Sequence, residues 1–305
     1  MRVNIFGLVT VALISMSNVV WADAAADCAT LYTAKDYENA FVSCSDAAEQ
    51  GDAIAQKNLG WMYDTGNGVV QDYTEAVRFY MLAAAQGNVK AQFNLGVMYK
   101  SGTGVVQDYA EAVRWYKLAA AQNFSFAQYN LGVMYEKGNG VAQDYIEAAR
   151  WYKLAAEQGS YKAQFNLGLA YKSGFGVKQD YLEAERWYKL AAGQGDANAQ
   201  FALGLWYVDG TGIVQNYAEA VRWYNLAAEQ GYSSAQGNLG WMYEQGNGVV
   251  QDYVTAHMWY NLAAAKGFDG ATENRNNVAK LMTPEQIAEA QQRAQICLEN
   301  NYKNC

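Results

Sequence analysis

The sequence contains very little proline and histidine, and its basic residues are not clustered. One proline, Pro284, and one histidine, His257, occur among 305 residues. Because proline is the residue that most strongly interrupts helices, long helices are possible almost everywhere. The formal net charge is −8, and no run of lysines or arginines offsets it. Such a chain is a poor match for the phosphate backbone of a nucleic acid, and we expect no nucleic-acid partner.

Cysteine is absent from the middle of the chain. Two cysteines lie near each end, Cys28 and Cys44 at one and Cys297 and Cys305 at the other. With a single histidine, this distribution provides no zinc site, and we expect neither a metal nor a cofactor. In an exported protein four cysteines indicate disulfides, and three pairings are possible. Pairing within each end is favoured if the ends lie far apart, and free buried thiols are the alternative.

The first 22 residues have the features of a signal peptide. Arg2 supplies the early charge, residues 6–14 form a short apolar segment, and Ala22 ends a suitable cleavage site. The apolar segment is too short, and too often interrupted by threonine and serine, to span a membrane. We therefore expect cleavage after Ala22 and a periplasmic or secreted protein with no membrane span.

An Ala-Gln pair recurs every 36 residues without insertion or deletion, and a fixed period of this length is typical of repeat proteins. Within each period, two segments show the apolar spacing of a helix. The second segment follows an aspartate such as Asp72, and Glu75 three residues later completes the pattern of a capping box. The six pairs begin at Ala55, Ala91, Ala127, Ala163, Ala199 and Ala235.

Glycines occupy two kinds of position in the period. A Gly-x-Gly-Val segment, as at residues 66–69, separates the two helices and predicts a turn, since a phosphate-binding loop would follow a strand. Gly60 and its equivalents lie inside the first helix, where glycine is about 1 kcal/mol less favourable than alanine. We expect the second helix to approach closely there, with aromatic pairs such as Phe79-Tyr80 filling the space.

The pattern A-Q-x-N-L-G-x-M-Y-x-x-G-x-G-V-x-Q-D-Y-x-E-A-x-R-W-Y-x-L-A-A-x-Q-G resembles the Sel-one-like repeat, a relative of the tetratricopeptide repeat. The resemblance covers about residues 30–290. It implies an all-α fold, a right-handed α/α superhelical solenoid of six helix-turn-helix repeats whose first (A) helices line the concave side. We expect an N-terminal capping half repeat at 23–54, the six repeats at 55–270 and capping helices at 271–305. Members of this family are mostly adaptors for protein complexes, which implies a protein or peptide partner.

A partner would bind where the copies differ, on the exposed face of the A helices. The tetratricopeptide analogy places two apolar rows, an asparagine row and four bracketing lysines on that face. The alternative is that the aromatic and asparagine side chains pack against neighbouring helices. The lysines favour an acidic segment or a carboxylate, unless they are ordinary solvated residues. The candidate binding residues are Trp61, Lys90, Phe93, Asn94, Lys100, Tyr129, Asn130, Lys162, Phe165, Asn166, Lys172, Phe201 and Trp241.

Catalysis is not expected. Some cysteine-rich secreted members of the family have been linked to penicillin binding or β-lactamase activity, but no serine here precedes a lysine by three residues. Lys-Ser-Gly occurs at 100–102 and 172–174, at the end of a helix where that chemistry needs a strand. His257 is expected to be a surface residue in the row of the arginines. We expect a monomeric scaffold. The alternatives are peptidoglycan-related ligand binding with weak penicillin-binding or β-lactamase-like activity, and a secreted host-interaction (virulence) factor.

Overall fold

The computed structural model describes residues 24–303 and Cys305. This part of the chain contains sixteen helices and no strand, so the expected all-α solenoid is confirmed. The expected signal peptide and its cleavage after Ala22 lie outside the described residues. No helix in the described ranges is both long and apolar enough to cross a bilayer.

The helices fall into two compact units, unit 1 ending at Trp151 and unit 2 beginning at Tyr152. Unit 1 contains α1 (24–33), α2 (Tyr37–Glu49), α3 (Ala53–Thr65), α4 (Tyr73–Ala85), α5 (Val89–Ser101), α6 (Tyr109–Ala121), α7 (Ser125–Lys137) and the start of α8 (Tyr145–Glu157). Unit 2 contains the rest of α8, then α9 (Tyr161–Ser173), α10 (Tyr181–Gly193), α11 (Ala197–Asp209), α12 (Tyr217–Ala228), α13 (Ser233–Gln245), α14 (Tyr253–Ala265), α15 (Ala271–Ala279) and α16 (Pro284–Glu299).

A and B helices alternate from α3 to α14, with the odd-numbered helices as A and the even-numbered as B. Each B helix begins at a side-chain cap, as where Asp72 accepts hydrogen bonds from the backbone N–H groups of Thr74 and Glu75. The predicted capping box is only half formed. The N–H of Asp72 already donates to the Tyr63 carbonyl, and the Glu75 carboxylate pairs with Arg78 at 2.7 Å. The full box occurs once in the described part, at Thr283 and Gln286 of α16.

The Gly-x-Gly segment is a turn that ends helix A. Gly66 has a φ of 72° and Gly68 a φ of 73°, a region that glycine adopts without steric penalty. The N–H of Gly66 donates to the Met62 carbonyl and closes the helix end. Gly68 lies directly against the backbone carbonyl of Tyr37, so the second glycine also provides room for a neighbouring helix.

In α3, α5, α9, α11 and α13, a glycine inside the A helix faces a buried tyrosine of the B helix that follows. A Cβ built on Gly60 would lie 2.6 Å from Cδ1 of Tyr80, whose side chain is fully buried. The close approach is therefore real, but the tyrosine alone of the Phe79-Tyr80 pair provides it. The preceding aromatic lies under an arginine instead, as where the Arg114 guanidinium lies 4.3 Å from the Trp115 ring.

Disulfides lie at both ends of the described chain. Cys28 pairs with Cys44 and joins α1 to α2, and Cys297 of α16 pairs with Cys305. In α16 the buried stripe comprises Ala290, Ala294 and Cys297. Leu298 follows Ala294 by four residues, so helical spacing predicts that it belongs to the same stripe. It lies one residue beyond Cys297, however, and its side chain is exposed.

Candidate binding surface

The first apolar row on the A helices is half-buried against B-helix tyrosines. The ring of Phe165 lies 5.4 Å from that of Tyr188, and the ring of Phe201 lies 5.9 Å from that of Tyr224. Phe93 lies 5.8 Å from Tyr116 in the same way. These aromatics therefore have a packing role, and only part of each ring faces solvent.

The second apolar row is the exposed one. In unit 2, Leu169, Leu205 and Trp241 occupy the same position in three successive A helices, and they are 40%, 43% and 39% exposed. In unit 1, Val97 is exposed, whereas Trp61 is half-buried between Tyr32 and Tyr37 of the N-terminal helices. Leu169, Leu205 and Trp241 therefore present apolar side chains at one repeated position, and these three residues are called the apolar strip.

The four bracketing lysines are not equivalent. Lys90 and Lys162 are exposed at the start of their helices, whereas Lys100 and Lys172 are half-buried near the ends. The Lys172 ammonium lies 4.8 Å from the centre of the Trp206 ring. Burial lowers the pKa of Lys172, and Asp209 acts against that shift. The lysines near the helix starts therefore offer the more accessible charge.

The asparagine row has local partners where the structure shows them. Asn94 lies near the hydroxyl of Tyr80 and acts to lower its pKa against the larger effect of burial, and Asn130 donates from Nδ2 to the Phe126 carbonyl at 2.8 Å. Asn166 and Tyr129 are half-buried. The contacts of Asn94 and Asn130 favour the packing interpretation of this row.

The glutamine of the Ala-Gln pair is structural. Gln92 donates from Nε2 to the Ala84 carbonyl at 3.2 Å and accepts from Gln122 at 2.8 Å. The same two bonds recur at Gln56, Gln164 and Gln200. In the last repeat Lys266 replaces the donor and reaches the Gly231 carbonyl instead, which leaves Oε1 of Gln236 without a partner in the described part. The ladder satisfies the carbonyls at the B-helix ends.

Metal binding and serine hydrolysis both require several polar side chains that lie close together. Among these residues, no three His, Cys, Asp or Glu side chains lie close enough to hold a metal ion. Ser101 of the first Lys-Ser-Gly segment donates to the Met98 carbonyl within the last turn of α5. That serine therefore closes a helix end.

An ionic cluster in unit 2 was not anticipated from the sequence. Glu185 of α10 accepts hydrogen bonds from Tyr207 at 2.5 Å and Lys189 at 2.7 Å. Burial acts to raise the pKa of the Glu185 carboxyl, but the bonds from Lys189 and Tyr207 outweigh it and hold that pKa below its usual range. The cluster borders an open cleft of about 970 Å³. Glu185 and Lys189 form an ion pair within α10, and the bond from Tyr207, which lies on α11, joins α10 to α11. The available signal was a glutamate at position 185, in a row that holds valine or alanine in four of the other repeats and histidine in the last.

The prediction that His257 lies on the surface in the arginine row is wrong. The residue 36 positions after Arg222 is Met258, and His257 instead follows Val221, in a row that is buried. The His257 side chain is 3% exposed, and its Nδ1 has no hydrogen-bond partner in the described part. Burial lowers the pKa of this imidazole, and the nearby Arg275 lowers it further.

Mild acid is expected to destabilise unit 2 through His257. In the folded protein the pKa of His257 is lower than its ordinary value of 6.5. As the pH falls through 6.5, only the unfolded chain takes up a proton at this residue. The free energy of unfolding therefore declines until the pH reaches the pKa of the folded state. His257→Val supplies the residue found at Val221. Thermal unfolding at about pH 7.5 and about pH 5.5 should show a larger loss for the wild type than for the variant, because this histidine is the only one. Equal losses would contradict this role.

Paired antiparallel helices with a 36-residue period define an α-solenoid of helix-turn-helix repeats. The family model described as Sel1 repeat matches residues 53–88, 89–124, 125–160, 162–196, 197–232 and 233–268. The chain therefore belongs to the Sel1 repeat family.

Solved structures with the same repeat resemble this chain. A Sel1 repeat protein from Oxalobacter formigenes is 36% identical, with 79% of this chain and 96% of that chain covered and a TM-score of 0.71. The protein c5321, described as a protective antigen present in uropathogenic Escherichia coli strains, is 28% identical over 87% of this chain and 81% of its own, with a TM-score of 0.48. Immunity protein Pa5087 from Pseudomonas aeruginosa is 22% identical over 71% and 83%, with a TM-score of 0.44. No curated protein matches the chain.

Proposed function

We propose that the protein is a non-catalytic scaffold that binds a protein or peptide partner on the exposed face of its A helices. The observation that carries this proposal is the apolar strip of Leu169, Leu205 and Trp241 in unit 2. Apolar side chains repeated at one position of successive A helices form the kind of contiguous surface that marks an interaction site. The rigid spacing of the repeat presents them to an extended or helical segment of a partner.

The proposal includes export to the periplasm or the medium and action as a monomer. Two disulfides support export, because such bonds persist in oxidising compartments. Cell fractionation and amino-terminal sequencing of the mature chain would test location and cleavage after Ala22. Light scattering on the purified protein would test the monomeric state.

Leu205→Glu is the sharpest test of the A-helix surface. Its side chain is exposed, so a glutamate is accommodated by the fold but introduces a charge into the apolar strip. Affinity capture from envelope extracts, quantified by mass spectrometry, should show a specific partner whose recovery falls at least about tenfold in the variant. Phe165→Ala would be less clear, because Phe165 also packs on Tyr188.

Leu182→Glu is the matched control. Leu182 is a more exposed leucine in the same unit, but it lies on the B helix α10. Undiminished capture by the control with loss in Leu205→Glu would locate binding on the A-helix face. Equal recovery with both variants would show that this face does not bind the partner.

A further inference from the structure

An aromatic cluster in unit 1 contains a phenylalanine that the fold does not need. The rings of Phe93, Phe124 and Phe126 form a triangle, with centroids 5.3 Å apart for Phe93 and Phe124, 5.4 Å for Phe124 and Phe126, and 6.1 Å for Phe93 and Phe126. Phe126 lies in the first turn of α7 and is 63% exposed. A large ring that remains mostly in water contributes little to the stability of its own fold.

Unit 2 shows which members of the cluster are structural. Tyr232 occupies the position of Phe124 and packs on Phe201, with ring centroids 5.0 Å apart. Packing therefore explains why residue 124 is aromatic. Phe124 stands at the N-cap of α7, where its side chain forms no capping hydrogen bond. In unit 2 the position of Phe126 is held by polar residues, Lys162, Asn198 and Ser234, and helices α9, α11 and α13 form equally well there. The repeat can therefore accommodate a serine where Phe126 stands.

Positive charge lies beside this cluster. Lys90 precedes Phe93 by three residues on α5, which places both on one side of the helix. Lys57 of α3 lies close enough to Lys90 that, after burial, this neighbouring charge lowers its pKa further. Neither lysine forms an ion pair within the described ranges, but the Lys57 ammonium donates to Oδ1 of Asn58 and lies 4.8 Å from the centre of the Tyr32 ring. Helix α5 contains no aspartate or glutamate, and the acidic residues of α3 and α7, Asp64 and Glu136, lie in the last turns of those helices.

Resting on the function proposed above, we propose that a surface of unit 1 binds an acidic segment of a partner protein, and that this segment carries an apolar anchor residue. The surface, called the aromatic–lysine surface, comprises Lys57, Lys90, Phe93, Phe124 and Phe126. The anchor packs against the exposed face of Phe126 and completes the burial of the aromatic cluster. Carboxylates on either side of the anchor pair with Lys57 and Lys90. The partial positive charges at the N-terminal ends of α5 and α7 also attract the carboxylates of that segment.

Charge complementarity selects this occupant. Lys57 and Lys90 form no ion pair within the described part of the chain and repel each other, and a carboxylate that enters between them relieves that repulsion. A basic segment would increase it. A purely apolar segment would bury Phe126 but leave the lysines unpaired.

Synthetic peptides test the proposal on the full mature protein. The probe is a fluorescent peptide with an acidic stretch on both sides of a Leu-Phe pair. One comparison peptide has lysines in place of the acidic residues, and a second has Ser-Gly in place of Leu-Phe. Fluorescence anisotropy should show the acidic anchored peptide binding at least about tenfold more tightly than either comparison, with affinity that falls as salt is raised.

Two variants locate the binding. Phe126→Ser, which copies Ser234, and Lys90→Glu should each weaken binding of the acidic peptide at least about tenfold. Ile146→Ser is the control, because Ile146 is 69% exposed in the same repeat but lies on the B helix α8. All three variants should retain the helical circular dichroism of the wild type. No preference for the acidic anchored peptide, or equal binding by Phe126→Ser and Ile146→Ser, would overturn the proposal.

The two proposals can fail separately. If Leu205→Glu abolishes partner capture and Phe126→Ser does not, the scaffold function stands and the aromatic–lysine surface is not part of it. If neither changes capture, the scaffold function on this face fails as well. Dimerisation of the protein that Phe126→Ser abolishes would assign the surface to a second copy of the chain, and would overturn the acidic-segment proposal.

Discussion

Gly240→Ala is expected to destabilise the protein by about 2 kcal/mol, although alanine is the better helix former by about 1 kcal/mol. A Cβ at this position of α13 would lie 2.6 Å from Cδ1 and 2.7 Å from Cε1 of Tyr260. That tyrosine is 1% exposed, and its hydroxyl donates to Glu244 at 2.6 Å. With its ring buried and its hydroxyl bound, Tyr260 has no direction in which to yield. Chemical denaturation followed by circular dichroism should show the loss.

Two other glycines of unit 2 provide a graded comparison. A Cβ on Gly168 would lie 3.0 Å from the nearest atom of Tyr188, so Gly168→Ala should cost less than Gly240→Ala. Gly193 of α10 has nothing within 4 Å, and Gly193→Ala should be neutral or stabilising by up to about 1 kcal/mol. The opposite ranking would show that close helix approach is not the reason for the glycine at 240.

Loss of the Cys28–Cys44 disulfide is expected to destabilise the N-terminal helix pair by about 3 kcal/mol. The bond closes a loop with a sequence separation of 16 between α1 and α2, and closing such a loop removes about that much entropy from the unfolded chain. Both sulfurs are buried, and Asn58 of α3 donates a weak bond to Cys28 at 3.6 Å. In Cys28→Ala/Cys44→Ala, amide exchange within α1 should accelerate by about a hundredfold.

The second disulfide provides the control for this measurement. Cys297→Ala/Cys305→Ala removes a bond with a sequence separation of 8 at the other end of the chain. Repeats of a solenoid contact only their neighbours, so this variant should leave exchange in α1 unchanged. Faster exchange of α1 in both variants would mean that the ends are coupled through the whole chain, contrary to the repeat architecture.

Much of the fold was predictable because its signals are local. The aspartate caps, the turn glycines and the period of 36 residues each act within one repeat, and the helices begin and end where these signals stand. The binding face was predictable only in outline. Phe93, Phe165 and Phe201 looked like one exposed aromatic row, but each packs on a tyrosine more than 20 residues away in sequence.

The position of His257 shows where reasoning from the repeat was weakest. A shift of one residue moves a helical side chain by about 100° around its axis, so assigning His257 to the arginine row exchanged an exposed site for a buried one. Glu185 lies in the same buried row, and its burial becomes acceptable only because Lys189 and Tyr207 reach it. No local pattern reports a partner on the next helix.

The sequence by itself determined the period, the helix-turn-helix unit and the family, because each depends on spacing along one short segment. Only the tertiary structure decided which A-helix row is exposed and which tyrosine occupies the space beside each helix glycine. It also showed that Phe126, in a cluster with Phe93 and Phe124, remains mostly in water. Exposure is a property of contacts between side chains that neighbouring repeats bring together. Those contacts depend on the size and direction of both partners, and the composition of either segment alone does not specify them.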